Sequence, residues 1–307
     1  MHEGDPRSAT KVIDLEVSLP WPGPPSSGRE LPGPPGPDRL PPPPGYGFAN
    51  YDTIFRARPE TGPQGDPPPV PEQADELVRL MDAAGVTAGV LWTASNSVTA
   101  QVVRRHPGRF LGIATLSPHD GMRAVRELER LVREEQLGGL GVGSLNDMVP
   151  ASDRRYYPLY AKCVELDIPV RVYTAMTYAS DRPYELGHPR HLDPVAIAFP
   201  ELRLIAGLGG WPWVSDMVGL LRRHPNLYCD TAAHRPRHFG TPGSGWEQFL
   251  QFGNTLLQDK VMVGLSAPLL GSSMEELIDE YLNLPLKDSV KEKWLYHNAA
   301  RFLRIAA

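Results

Sequence analysis

The sequence has little of what marks a secreted, membrane-bound or disulfide-stabilised protein. Cys163 and Cys229 are the only cysteines among 307 residues. They lie far apart in apolar patterns, which predicts buried free thiols rather than a disulfide framework or a cysteine metal site. No apolar stretch approaches the roughly 20 residues needed to cross a bilayer, and the N-terminus lacks the apolar segment of a signal peptide. We therefore expect a cytoplasmic protein without a membrane partner.

Long basic runs are also missing. The formal net charge is −5, which gives no electrostatic footprint for nucleic acid. Hydrophobic residues make up 41% of the chain and charged residues 22%, as is typical of a globular protein with a sizeable core. The expected partner is a small-molecule substrate.

Apolar, β-branched runs alternate with amphipathic helical patterns along the chain. In the helical segment 73–85, Leu77, Leu80 and Met81 recur at helical spacing and Gly85 is a plausible end. The eight predicted strands span residues 11–17, 88–92, 110–116, 139–143, 169–174, 202–208, 226–231 and 260–266. Eight such units predict one domain over residues 1–307, a (β/α)8 TIM barrel.

A proline-rich insertion from Pro20 to Pro71 interrupts this pattern after the first strand. It holds about half of the 34 prolines, and proline removes backbone donors, so the segment cannot be regular core. One interpretation is a linker without a chemical role. The other is a lid or a dimer arm, because the carboxyl ends of barrel strands carry active sites. The sequence therefore leaves open whether the protein forms a homodimer.

Several segments, read in order, resemble the amidohydrolase-related family that includes amino-carboxymuconate-semialdehyde decarboxylase and γ-resorcylate decarboxylase. They include VIDLEVSLPWP in the first unit, HPGRFLGIATLSP in the third, FPELRLIAGLGGWPW in the sixth and KVMVGLSAPLL in the eighth. The resemblance implies the TIM barrel. It also implies a divalent metal held by a pair on the first strand, by a histidine ending the fifth and by an aspartate on the eighth.

The residues at these positions depart from the family pattern. The first-strand pair is Glu16 and Ser18, the fifth strand has Tyr173, and the eighth has Ser266. The sixth strand has Gly207 at the position where the family has a histidine that serves catalysis or binds the metal. Zinc and related ions need about four strong donors, and only Glu16 is one. We therefore predict no metal and no other cofactor.

Strand alternation suggests what replaces the metal. Side chains two apart share a face, so Arg171 should point inward with Tyr173, and Asp14 with Glu16. A buried guanidinium must be paired, and Asp14 or Glu16 are the predicted partners. In one interpretation Arg171 supplies the positive charge that the metal gave, with Glu16, Tyr173 and His234 as catalytic groups. In the other, the ion pair merely fills the old metal position of an inactive barrel.

A second cluster follows the seventh strand. It contains Asp230, His234, Arg235, Arg237 and His238. Because a guanidinium can donate two parallel hydrogen bonds to one carboxylate, we expect an anionic substrate. The alternative is a solvated basic loop. Further candidates for substrate binding are Ser18, Trp92, Trp211 and Ser266. Other loop histidines, His188 and His191, are expected at the surface or facing the ligand.

Together these features predict a metal-independent hydrolase or decarboxylase-like lyase. Its substrate would be a small carboxylated metabolite, with a cyclic or aromatic one as the narrower option. The alternative is a catalytically inactive barrel that binds a ligand or a protein partner.

Overall fold

The computed structural model describes residues 10–21, 66–93 and 95–305. Eight parallel strands hydrogen-bond in sequence order. They are β1 (Val12–Val17), β2 (Val86–Leu91), β3 (Phe110–Thr115), β4 (Gly139–Val142), β5 (Val170–Tyr173), β6 (Leu204–Gly207), β7 (Leu227–Asp230) and β8 (Val261–Met262). The backbone N–H of Leu15 donates to the carbonyl of Val263, 2.9 Å away, and so links the first strand to the last. The predicted (β/α)8 TIM barrel is confirmed.

Helices cover the outside of this barrel. Their bounds are Val70–Ala83, Asn96–Arg105, Met122–Glu135, Ser144–Asp147, Tyr157–Glu165, Leu192–Ala198, Val214–Arg223, Glu247–Gly253, Ala267–Leu270, Met274–Leu282, Asp288–Glu292 and Asn298–Leu303. The helix Met122–Glu135 shows why they dock: it buries Ala124, Leu128 and Leu131, which share one face. Such apolar stripes hold each helix against the strands.

Alternation along the strands sorts side chains into two apolar layers. Val170 and Val172 of β5 belong to the layer under the helices, whereas Ile113 and Ile205 belong to the cluster inside the barrel. The two faces of β5 therefore differ, and Arg171 lies between the two valines on the inward face. This places a charged side chain inside the barrel.

Several elements differ from the sequence prediction, among them the last strand and the helix before β3. The last strand was predicted over 260–266 but covers only Val261–Met262. Beyond this strand Gly264 lies close to the loop after β7, where an added Cβ would be 2.6 Å from the Ala232 Cβ. The helix Asn96–Arg105 was not predicted, since its β-branched residues have weak helix propensity; the Ser95 side chain caps it.

Residues 22–65 of the predicted insertion lie outside the described residues, so its interpretation as a lid or dimer arm stays a prediction. Residues 66–69 lead into the helix Val70–Ala83. Within the described ranges, no helix combines the length and apolarity that a bilayer span requires.

Candidate functional site

The guanidinium of Arg171 lies at the centre of the barrel, near the carboxyl ends of the strands. Its Nε donates to Asp230 Oδ2 at 2.6 Å and its Nη2 donates to Glu16 Oε2 at 2.5 Å. The side chains of Arg171, Asp230 and Glu16 are 3%, 0% and 20% exposed. A buried guanidinium is stable only with such charge-assisted partners. The prediction that Arg171 faces inward and pairs with Glu16 is confirmed.

Asp230 fixes this guanidinium to two loops. While Oδ2 accepts from Arg171, Oδ1 accepts the backbone N–H of Leu208 at 2.9 Å and that of Ala232 at 3.1 Å. Leu208 begins the loop after β6, and Ala232 lies in the loop after β7. One carboxylate therefore holds the cation and the starts of both loops in a single arrangement.

Gly207 and Trp92 shape the space around the guanidinium. A Cβ on Gly207 would lie 3.0 Å from Arg171 Cζ and 3.2 Å from Nη2, so the absence of a side chain on β6 makes room for the cation. Arg171 Cζ lies 4.4 Å from the centroid of the Trp92 ring, within the range of a cation–π contact. Trp92 was predicted to stack on substrate, but this contact already engages its ring.

Two polar atoms of the cluster remain available. Arg171 uses Nε and Nη2, and its Nη1 donates to no atom of the described residues. Glu16 uses Oε2, and its Oε1 likewise accepts no hydrogen bond from the part of the chain that is described. The cluster therefore contains a hydrogen-bond donor and an acceptor, on two side chains that an ion pair joins.

The prediction that Asp14 pairs with Arg171 is wrong. Asp14 Oδ1 accepts the backbone N–H of Glu16 at 2.9 Å and that of Leu265 at 2.8 Å, and the buried Oδ2 has no partner among the described residues. The pairing of β1 with β2 shifts register between Asp14 and Val17, so strict alternation fails there. Burial, with the nearby charges of Glu16 and Asp230, raises the pKa of Asp14 to about 7, although its two backbone hydrogen bonds oppose the shift.

His234 lies in an aromatic wall after β7. Its ring centroid is 4.8 Å from that of Trp246 and 5.9 Å from that of Trp211. Burial lowers the pKa of His234 to about 4, so the imidazole is neutral at neutral pH. Within the described ranges its ring nitrogens have no hydrogen-bond partner, which leaves a neutral donor and acceptor near the mouth.

The basic residues that follow His234 are already paired. Arg235 binds Glu276 at 2.7 Å and also Glu280, whereas the exposed His238 accepts from Arg237 Nε at 3.3 Å. An anion would have to compete with both glutamates for Arg235. The guanidinium of Arg235 is therefore not free to bind an anion. Anion binding by this loop stays a prediction.

Other predicted site residues contact the backbone. The hydroxyl of Tyr173 donates to the Met176 carbonyl at 2.8 Å. Ser266 Oγ accepts the Ala233 N–H at 2.9 Å, and Trp211 Nε1 donates to the Ser244 carbonyl at 3.0 Å. Ser18 is half-buried just past β1. The contacts of Tyr173, Ser266 and Trp211 join residues of the loops around the mouth. Catalysis by Tyr173 and substrate binding by Ser18, Trp211 and Ser266 stay predictions.

His188 was expected at the surface or facing the ligand, but it is 7% exposed. Its ring packs against Trp213 with centroids 4.3 Å apart, and its Nδ1 accepts the backbone N–H of Arg190 at 3.1 Å. This histidine is therefore a buried packing residue.

Asp230 is the member of the central cluster that sequence reasoning assigned to the wrong group. It was placed with the basic loop that follows β7. The signal that could have found it is the alternation in NLYCDT. Leu227 and Cys229 face the helices, so Tyr228 and Asp230 take the inward face.

Comparison with known proteins places these features in a family. Over 100 residues the chain is 36% identical to 2-keto-4-carboxy-3-hexenedioate hydratase from Sphingobium sp., covering 29% of each protein. Over 134 residues it is 26% identical to 2-amino-3-carboxymuconate-6-semialdehyde decarboxylase from Dictyostelium discoideum, covering 43% of this chain and 34% of that enzyme. The matches thus span about a third of the length of these curated relatives.

Similarity to a solved structure extends over nearly the whole chain. An uncharacterised TIM-barrel protein from Bordetella bronchiseptica superposes with a TM-score of 0.67 at 27% identity, covering 96% of this chain and 98% of that one. The family model described as amidohydrolase matches residues 52–305. Since this match covers most of the sequence, the chain belongs to the amidohydrolase family.

Proposed function

We propose that this chain is a metal-independent amidohydrolase-family enzyme, a lyase or hydrolase in which Arg171 supplies the fixed positive charge of the site. The observation that carries the proposal is the buried guanidinium held by Glu16 and Asp230, with Nη1 left without a described partner. A cation fixed in a water-poor site can stabilise negative charge that develops on a substrate oxygen.

The side chains present do not fit a divalent ion. Glu16, which stands at a family ligand position, shares its Oε2 with Arg171, and Gly207 offers no donor. Ser266 Oγ is engaged by the Ala233 N–H. In the described ranges no three His, Cys, Asp or Glu side chains come together as a metal site. Such an ion would also meet the repulsion of the guanidinium.

Arg171 Nη1 would receive the substrate oxygen on which negative charge builds up. Decarboxylation leaves an electron pair on carbon, and so does the addition of water to a C=C bond conjugated with a carbonyl group. In both reactions conjugation delocalises this pair onto an oxygen of the substrate. The guanidinium keeps its charge at all relevant pH values. Because Nε and Nη2 are held by two carboxylates, Nη1 needs no reorientation to donate to that oxygen.

Glu16 and His234 would handle protons and hydrogen bonds. Glu16 Oε1 is the acceptor adjacent to Arg171, and we assign it the removal of a proton from water or from a substrate hydroxyl. His234 is neutral, since burial lowers its pKa to about 4, and it would hydrogen-bond the substrate rather than neutralise a carboxylate. Tyr173 is assigned to shaping the mouth, because its hydroxyl already donates to Met176.

The substrate we propose is a small carboxylated metabolite, with a conjugated or aromatic skeleton as the narrower option. The names of the two curated relatives describe carboxylated substrates and the reactions of a hydratase and a decarboxylase. These relatives support a lyase reaction more than a hydrolytic one.

Turnover with and without chelator tests the proposal. Purified protein is treated with EDTA, its metal content is measured by elemental analysis, and it is incubated with 2-keto-4-carboxy-3-hexenedioate and 2-amino-3-carboxymuconate-6-semialdehyde. We expect turnover that survives the chelator. Arg171→Lys should lower kcat/KM by about 10²–10³-fold, because the lysine ammonium cannot reproduce the planar set of N–H donors of the guanidinium.

Arg130→Met is the matched control, since Arg130 pairs with Glu127 and Glu135 on an outer helix. It should keep the wild-type rate. A tightly bound metal whose removal abolishes turnover would overturn the proposal. Ligand binding without turnover would instead support the inactive barrel, which is favoured by the two carboxylates that already satisfy Arg171.

A further inference from the structure

A second group of reactive side chains lies on the loops after β4 and β5. Ser152 Oγ is 3.2 Å from His191 Nδ1, and both residues are half-buried. Ser152 lies in a turn closed by the Asp153 N–H, which donates to the Pro150 carbonyl at 2.9 Å. The preceding carbonyl, of Ala151, accepts from the buried Tyr160 hydroxyl at 2.7 Å. The serine is thus held rigidly against the imidazole.

The imidazole of His191 is suited to accept the serine proton. Burial lowers its pKa, and the charges of Arg190 and His188 lower it further, whereas the backbone and carboxylate of Glu185 oppose the shift. The lowered pKa favours the neutral form of the ring. With its proton on Nε2, Nδ1 accepts the Ser152 hydroxyl, which is the relation of an activated nucleophile to its base.

Two backbone N–H groups near Ser152 in the sequence, and a row of rings that starts at His191, are further features of this region. The N–H groups of Ser152 and Arg154 donate to no acceptor in the described part of the chain. A row of rings leads outward, with centroid distances of 6.5 Å from His191 to His188, 4.3 Å from His188 to Trp213 and 5.1 Å from Trp213 to Tyr184. Tyr184 is 48% exposed, so the row reaches the surface and offers a platform for an aromatic group.

We propose that Ser152 and His191 form an acyl-transfer site that takes small aryl esters, separate from the Arg171 cluster. Ser152 Oγ attacks the ester carbonyl and forms an acyl-serine bond while its proton passes to His191. The bond from the acyl carbon to the aryl oxygen then breaks, and the phenol leaves with that proton. Water, activated by the same imidazole, hydrolyses the acyl-serine to the acid and restores the hydroxyl.

Phosphonylation of the full-length protein tests this proposal directly. Wild-type protein is incubated with a small fluorophosphonate, in which the serine oxygen displaces fluoride from phosphorus, and the adduct is followed by intact mass and peptide mapping. We expect one adduct, on Ser152. The same protein should hydrolyse p-nitrophenyl acetate with a burst of about one p-nitrophenol per chain if hydrolysis of the acyl-serine is slow.

Variants separate a reactive serine from a structural hydrogen bond. Ser152→Ala should abolish the adduct, and His191→Gln should slow its formation by about 100-fold through loss of the base. Ser95→Ala is the control: this serine caps the helix Asn96–Arg105 and contacts Ser97, and its loss should leave labelling unchanged. Absence of an adduct in the wild type, or an adduct on another residue, would overturn the proposal without bearing on Arg171.

Discussion

Arg171 inside the barrel and Arg235 on its rim each pair with two carboxylates, but they differ in exposure. The Arg171 side chain is 3% exposed and its partner Asp230 is fully buried. Arg235 is 15% exposed; of its two partners, Glu280 is 12% exposed and Glu276 is 53% exposed. Water screens the rim pair, whereas the central cluster has only its own members to compensate its charges. Removing the arginine should therefore lower the stability of the protein strongly at the central cluster and only slightly at the rim.

The largest effect should follow removal of the central cation. Arg171→Met leaves Asp230 and Glu16 without their counter-charge, so we expect a loss of about 3–5 kcal/mol in the free energy of unfolding. Urea denaturation followed by tryptophan fluorescence and by circular dichroism measures it. A loss below about 1 kcal/mol would remove the contrast between the two arginines.

Neutralising the partners sharpens this result. In the variant that combines Arg171→Met with Glu16→Gln and Asp230→Asn, no unpaired charge remains at the cluster, and much of the lost stability should return. If the triple variant binds and turns over substrate like the wild type, Arg171 serves only in packing and not in function. If the triple variant folds but does not bind substrate, while Glu16→Gln alone still binds it, the cation is needed for substrate binding; turnover does not decide this, because Glu16→Gln also removes the proposed proton acceptor.

A substitution at Gly207 tests the packing around the same cluster rather than its charges. Gly207→Ala would place a Cβ 3.0 Å from Arg171 Cζ and 3.2 Å from the Val172 carbonyl, so we expect a loss of about 1–3 kcal/mol. Gly219→Ala is the control, because it lies on the exposed face of the helix Val214–Arg223 with nothing within 4 Å of an added Cβ; it should stabilise by about 0.5–1 kcal/mol. Equal effects at both glycines would contradict the packing argument.

Asp14 adds a pH dependence to the central region. Its pKa is raised from 3.8 to about 7 in the folded protein, so the folded state holds a proton that the unfolded state releases at a lower pH. Its contribution to stability should therefore fall as pH rises from about 4 to about 7, by at most about 1.4 kcal/mol per pH unit, and level off above that. Urea midpoints of wild type and Asp14→Asn between pH 4.5 and 8.5 should diverge over this window. Parallel curves would refute the assignment.

The smallest effect should come from the rim. Arg235→Met removes ion pairs to Glu276 and Glu280 that are partly open to water, and we expect a loss of about 0–1 kcal/mol. The loss should shrink further when the salt concentration is raised, because screening weakens exposed pairs. A loss as large as that of Arg171→Met would show that burial does not separate the two clusters.

Much of the fold and part of the site could be predicted because they depend on local periodicity. Alternating apolar runs predicted eight strands, and alternation on β5 placed Arg171 inside the barrel with Glu16 as a partner. The same rule failed at Asp14, because the β1 pairing shifts register between Asp14 and Val17. A shift of this kind depends on the neighbouring strand, which local periodicity does not reveal.

The sequence by itself determined the barrel and the presence of an inward arginine. Only the tertiary structure decided which carboxylates hold that arginine, because Asp230 is 59 residues away along the chain and meets it across the barrel interior. The structure also decided that Gly207 makes room for the guanidinium and that Arg235 is paired on the rim. Where a strand is regular, as β5 is, periodicity determines which face a side chain takes, but barrel closure and loop positions determine which groups meet across that face.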